Sequence, residues 1–442
     1  MKKLLAILII LGEIFTLCGC QKNIKEEFLP SKDEGGEVTN NSNDLKFLSN
    51  GATTNDGYYY LTDYSRLNNG KLAKHLMYID FKTKQEIHLC NNSACTHKTE
   101  DCTSVFTKDE FQLDSKVFIW NNEIYVISKS TDTSEQVAMG VLGETSTSNV
   151  ESNKAVLYKL NLDGTNREKI YTFDDNDTIE DFVIGSGNGI YLATKKVETK
   201  YTGGNAYSTS SERKLIYLDL NTKKESTTLS MNRNDNIDWK VIGSTDRNLI
   251  LHGIDLGKQV TDEEKHNNNK LYKNSSDVFA LLDIDNDTLK EVYRVKASSR
   301  TYTVDEKNLY YNIDGNSKIL KIDLETGKEE TLANLSSVWV DRVIDNKLLC
   351  ITNSGKNPTS YFIDIDTGKM TESKLANKST ESYIEIISIS QNKILAIYDS
   401  DVTFNSDGSY TTHSNKYGVI SKEDFFTGQD SFQNIKRVYG GE

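Results

Sequence analysis

Ile319-Leu320-Lys321-Ile322-Asp323-Leu324-Glu325-Thr326-Gly327-Lys328 is the stretch of this 442-residue chain whose reading decides the fold. Apolar and polar residues alternate up to Asp323, the period of a half-buried strand. Thr326-Gly327 then supplies the positive-φ position of a tight turn, and a charged run opens the returning strand. Just upstream, Val304-Asp305-Glu306-Lys307-Asn308-Leu309-Tyr310-Tyr311 shows a polar turn that returns as an aromatic strand. Two such hairpins in succession make a four-stranded antiparallel sheet.

Both units recur along the chain. The turn-plus-aromatic unit appears at Thr53–Tyr60, Ile119–Val126, Gly185–Leu192, Ser244–Leu251, Ile344–Leu349 and Ser390–Leu395. The apolar-x-Asp unit appears at Met77–Lys84, Leu157–Gly164, Ile216–Lys223, Leu281–Asp287 and Tyr361–Lys369, with a weaker copy at Tyr417–Asp424. A lone sheet cannot bury both of its faces. Sheets packed face to face around an axis can, and the closed ring protects their edges. The expected fold is therefore all-β: a seven-bladed β-propeller of four-stranded antiparallel blades over residues 51–438, with six or eight blades as neighbouring counts. Two Ser/Thr- or charge-rich insertions, 129–155 and 255–277, are expected as exposed loops on one face, and Thr261–Lys265 could start a helical turn.

Composition agrees. Pro occurs twice, Tyr 23 times, and no stretch after residue 20 sustains a helical apolar period over three turns. The repeated apolar-Asp-x-x-Thr-Gly hairpin after an aromatic strand resembles that of the Tol-associated (TolB-like) and surface-antigen propellers. That resemblance covers about residues 51–438 and implies a fold rather than an activity.

The N-terminus carries a second signal. Lys2-Lys3 precedes an apolar run from Leu4 to Leu17, too short to span a bilayer and interrupted by Glu13. Leu17-Cys18-Gly19-Cys20 closes it. The segment resembles a bacterial lipoprotein signal peptide. The resemblance implies removal of residues 1–19, a diacylglycerol thioether on Cys20, and a position on the outer face of the cytoplasmic membrane. Cleavage elsewhere by an ordinary secretory route is the plainer alternative. Residues 20–50 are polar and rich in Lys, Glu, Asn, Ser and Gly, and read as a lipidated flexible tether. The formal charge is -13, and loss of the signal makes the chain one unit more acidic. Such a surface repels nucleic acid and anionic head groups, so membrane attachment has to come from the lipid.

Four cysteines remain after Cys18 and Cys20. Cys90, Cys95, His97 and Cys102 fall in a Cys-x4-Cys-x-His-x4-Cys pattern, while Cys350 sits far away in an apolar strand and reads as core. Three thiols and an imidazole have the number and softness of a closed structural zinc site. The pattern resembles one in propeller lipoproteins of Gram-positive anaerobes. A disulfide is the competing reading, because thiols outside the membrane oxidise, and free thiols are the third.

The repeated Asp80, Asp219, Asp323 and Asp364 lack calcium-loop spacing and read as turn caps. Gly185–Gly189 lacks the helix that should follow a phosphate loop. No nucleophile elbow or zinc-protease helix occurs. The first strand of each blade should line the central channel, which places Glu180, Asp181, Lys240, Asp341, Arg342 and Glu385 as candidate ligand groups at its mouth. The functional expectation is a membrane-anchored, monomeric module that binds a protein or glycan. The alternatives are a propeller enzyme acting on extracellular glycan, as lyase or hydrolase, and a metal or redox sensor built on the cysteine cluster.

Overall fold

The computed structural model of the protein describes residues 44–48, 51–109, 115–128, 154–174, 177–180, 182–203, 206–232, 237–257, 275–296, 300–313, 317–352, 358–406 and 408–438. Within them lie seven antiparallel sheets, each with four consecutive strands in simple up-down order. Blade 5 shows the plan with strands Arg300–Val304, Asn308–Ile313, Lys318–Asp323 and Glu329–Asn334. Leu309 lies opposite Ile322, and Tyr311 opposite Leu320. The expected signal peptide, Cys20, most of the expected tether, residues 129–153 and Thr261–Lys265 lie outside the described residues.

Consecutive side chains on a strand point to opposite faces, so a sheet wedged between two others must be apolar on both. Tyr58 packs toward blade 7 with Ile79, Leu395 and Val419. Its neighbour Tyr59 packs toward blade 2 with Tyr78, Val126 and Tyr158. In the same way Ile250 and Phe279 meet Leu309 of blade 5, while Leu249 and Leu251 meet Ile184 of blade 3. The second strands of the other five blades follow this rule, and seven apolar clusters fill the seven interfaces between successive blades, including the one between the last blade and the first. That count closes the ring. It also explains why Leu249, Ile250 and Leu251 are all fully buried, although alternation predicts half-burial. Solvent wets mainly the outermost strands, such as Lys224–Ser230.

First strands gather on the axis. Gly51 N–H donates to Val117 O at 2.9 Å, and Val340 N–H to Thr301 Oγ1 at 2.7 Å. Thr53 and Ser388 share a hydrogen bond of 2.7 Å between blades 1 and 7. No strand is exchanged at this seam: all four strands of blade 7 follow those of blade 6 in sequence. The C-terminal tail instead runs beside the outer strand of blade 1, with Glu86 N–H donating to Lys436 O (3.0 Å) and Lys436 N–H to Lys84 O (2.8 Å). Glu86 is fully buried and accepts from Tyr60 Oη, Arg437 Nε (2.9 Å) and the Val438 amide (3.0 Å).

The two faces of the ring differ. One carries the short turns, capped as expected by Asp80, Asp219, Asp323 and Asp364, whose carboxylates accept from backbone amides two or three residues on. At Gly368 (φ 70°) a Cβ would sit 2.7 Å from Leu332 O of the preceding blade, so the turn needs glycine for both reasons. The other face carries every connection between second and third strands. The hairpins Gly189–Gly203/Ala206–Asp219 of blade 3 and Lys393–Phe404/Tyr410–Ser421 of blade 7 are the long ones. The expected insertion at 255–277 starts and finishes on this face, and its ends are strand: Asp255 closes one, and Ser276–Asp283 forms the next.

Two elements add to the repeat reading. A strand at Lys46–Leu48, inside the stretch read as tether, pairs antiparallel with the first strand of blade 3, Lys46 opposite Gly185 and Leu48 opposite Val183. Leu45 N–H donates to Asp246 O in a short turn of blade 4. The chain thus enters at the short-turn face and runs up inside the channel before turning down into blade 1. The seventh hairpin ends in a helix, α1 (Lys422–Thr427), where a plain turn was expected. Ser421 caps it by accepting from the Asp424 amide, and Gly428 ends it in the left-handed region.

Candidate metal centre

The loop from Leu89 to Ser104 leaves blade 1 on the long-loop face. It folds over a small side sheet that the blade's third strand makes beyond its normal length: Ala73–His75 pair with Val105–Thr107, and Ala73 also with Ser65. Leu67, Ala73 and Val105 pack against Cys90, Cys95 and Cys102. Local turns set the ligands. Asn92 accepts from the Ala94 amide through its side chain (3.0 Å) and from the Cys95 amide through its carbonyl (3.0 Å). His97 adopts φ 58°, which turns its ring back toward the sulfurs.

The result is convergence. One ligand atom from each of Cys90, Cys95, His97 and Cys102 lies within 4.8 Å of all the others. Nδ1 of His97 is 3.3 Å from Cys102 Sγ. A tetrahedral zinc with Zn–S bonds of ~2.3 Å needs sulfurs ~3.8 Å apart, so the widest pair has to close by about 1 Å. None of the described cysteines is in a disulfide. The Cys90 thiol is drawn well below its ordinary value, chiefly by the hydrogen bond from Cys102; burial opposes this, and His97 and the Asn92 amide add to it. Cys102 is pushed up by the Cys90 thiolate and by burial.

Outer contacts hold the ligands in place, as second-sphere groups do at metal sites. The His97 amide donates to Cys95 Sγ at 3.4 Å, and Ser104 Oγ lies 3.1 Å from Cys102 Sγ. His75 Nε2 is 2.8 Å from His97 O, and the His88 ring stacks on that of His97 at 4.3 Å. Arg167 of blade 2 staples the far leg by donating to the carbonyls of Cys102, Thr103 and Val105. Lys71 holds Glu100 at 3.2 Å. His75, His88 and Arg167 could not be assigned from sequence, because they reach the loop from three places: the side sheet, the outer strand of blade 1 and a turn of blade 2.

The channel residues are dispersed. Glu180 is taken by Arg213, whose Nη2 donates to Glu180 Oε2 (2.8 Å) and to Trp239 O (2.8 Å). Asp341 accepts from its neighbour Arg342 Nε at 2.7 Å. Lys240 and Glu385 are exposed on separate blades, and Asp181 lies outside the described residues. Cys350 is core. A buried relay not read from sequence joins blades 4 and 5: His252 Nε2 lies 2.8 Å from Asp277 Oδ1, and its Nδ1 is 2.9 Å from Tyr302 Oη.

No family model matches the chain, and no curated protein sequence matches it. Solved structures do. An acylaminoacyl peptidase of Pyrococcus horikoshii aligns with 88% of this chain and 52% of its own, at 9% identity and a TM-score of 0.49. The chain thus spans about half the length of that peptidase. The β-propeller domain of the trilobed protease from Pyrococcus furiosus aligns over 90% of this chain and 99% of its own, at 9% identity and a TM-score of 0.46. TolB of Acinetobacter baumannii aligns over 86% and 79%, at 12% identity and a TM-score of 0.32. The propeller assignment rests on the blades and their interfaces described above.

Proposed function

We propose that the protein is a lipid-anchored, extracytoplasmic binding module that presents the long-loop face of its propeller to a protein or glycan partner. The observation that carries this reading is the two-sidedness of the ring. The chain enters at the short-turn face, with Leu45 bonded to the turn at Asp246, while the long hairpins of blades 3 and 7 extend from the opposite face and the Cys3His loop packs at the rim against blade 2. An anchor at Cys20 therefore leaves the elaborated face free. Zinc, held by Cys90, Cys95, His97 and Cys102, would be structural, since four protein ligands leave no open position for substrate. It would stiffen a loop whose own apolar content is small. The acidic surface turns nucleic acid away.

The test has two arms. Cys20→Ala should leave the protein unprocessed or release it into the medium; a mature form that stays on the membrane without Cys20 sinks the anchor. Metal analysis by mass spectrometry beside a thiol count on unreduced protein should give one zinc per chain and no cross-link. Metal-free protein with a bonded cysteine pair sinks the metal site.

A further inference from the structure

The half of the channel nearest the short turns holds a cavity of about 440 Å³. Its wall is built from residues close to those turns: Thr53, Ile119, Ser388 and Ile389 at the ends of first strands, Phe47 of the N-terminal strand, and Arg342. The volume is in the range of small-molecule sites. Apolar side chains share the lining with one guanidinium and two hydroxyls. Those hydroxyls, Thr53 and Ser388, are bonded to each other.

Arg342 differs from the other buried-side arginines of the ring. Arg213 spends its fork on Glu180, Asp238 and Trp239 O, and Arg437 is held by Glu86 and Tyr60. Arg342 uses only Nε, on Asp341, and among the described residues Nη1 and Nη2 make no hydrogen bond. Arg342 lines the cavity, and its side chain is 41% exposed. A planar pair of N–H donors beside apolar walls suits a carboxylate with a short apolar body.

We infer that this cavity is a binding site for a small amphipathic carboxylate, with the anion on the outer edge of Arg342 and the apolar part against Phe47, Ile119 and Ile389. This goes beyond the binding-module reading and depends on neither the anchor nor the metal. The test is equilibrium dialysis of the full-length protein against radiolabelled octanoate and 1-octanol. Octanoate should bind saturably at one site. Arg342→Gln should weaken octanoate about tenfold, the loss expected for a charge-assisted hydrogen bond, and leave octanol unchanged. Phe47→Ala, on an exposed-edge residue outside the interblade clusters, should weaken both ligands alike. Absence of saturable octanoate binding by the native protein, or equal octanoate binding by Arg342→Gln, overturns the assignment, whatever Cys20 and the metal tests give.

Discussion

The cysteine loop and the seam between blades 7 and 1 both depart from plain repetition, and they are held by opposite means. The loop joins ligands that span 13 residues and has little apolar content beyond the cysteines themselves. The seam joins residues 351 apart, Glu86 and Arg437, inside a ring of apolar contacts from Tyr58, Phe81, Leu395 and Ile435. One is a local chemical clamp, the other a buried charge pair that ends a circle. The difference teaches that closure and decoration follow separate rules. The seam is a requirement of the fold, and its loss should be global. The loop is added to one face, and its loss should stay local.

The seam gives the largest expected effect. Arg437→Met leaves the buried Glu86 carboxylate without its cation, which should cost about 3 kcal/mol and lower the melting temperature of the whole ring. Glu86→Gln combined with Arg437→Met should recover much of that loss, since the charge then goes with its partner. A seam that tolerates Arg437→Met as well as a surface change would show that the apolar cluster closes the ring without help.

Chelation should act on the loop alone. Amide exchange should quicken across Cys90 to Val105 while the strands of blades 3 to 6 keep their protection, and the melting temperature should fall less than in Arg437→Met. Uniform loosening of all blades on chelation would erase the distinction between clamp and seam.

An ordinary interface supplies a reference for both. Gly368→Ala puts a Cβ against Leu332 O in a left-handed turn and should cost about 1–3 kcal/mol without changing metal content. Unchanged stability there would mean that the turn can shift away from blade 5.

The smallest effect is on pH. Hydrogen bonds from Thr222, Thr326 and Thr367 hold the carboxyls of Asp219, Asp323 and Asp364 below the usual range. Their contribution is full above the unfolded value of about 3.9 and is lost as pH falls through the lower folded values. A melting profile taken downward from about pH 4 should therefore decline, and less steeply in Asp364→Asn. An unchanged slope in that variant would assign the acid loss to other carboxylates.

The repeat and the ligand set were legible because their information is local. A turn such as Asp364 to Lys369 is written in six residues, and so is most of a blade's hairpin register. Cys90, Cys95, His97 and Cys102 meet through turns within a single loop, so spacing alone predicted the cluster. The seam pair, the His252–Asp277–Tyr302 relay and the support from His75 and Arg167 depend on strand register across blades, which no spacing reveals. The channel groups failed to converge for a related reason. Being on a first strand places a residue near the axis, but pleat and neighbours decide its partner, as Arg213 shows by claiming Glu180. The helix at Lys422–Thr427 was masked by strand-like residues before it, although Ser421 with Glu423-Asp424 in the first turn is an N-terminal cap signal.

The N-terminal strand also has a mechanical meaning. Because Lys46–Leu48 lies in the channel, a pull on the chain before Asp44 acts close to the axis of the disc instead of at its rim. Such a load has almost no lever arm, so it neither tilts the ring nor pries one blade from the next. It runs nearly parallel to the strand, and shears its three paired residues together where a pull from the side would unzip them one at a time. Yielding would come first at that short pairing and at the Leu45–Asp246 bond, lengthening the leash by a few residues while the blades stay shut.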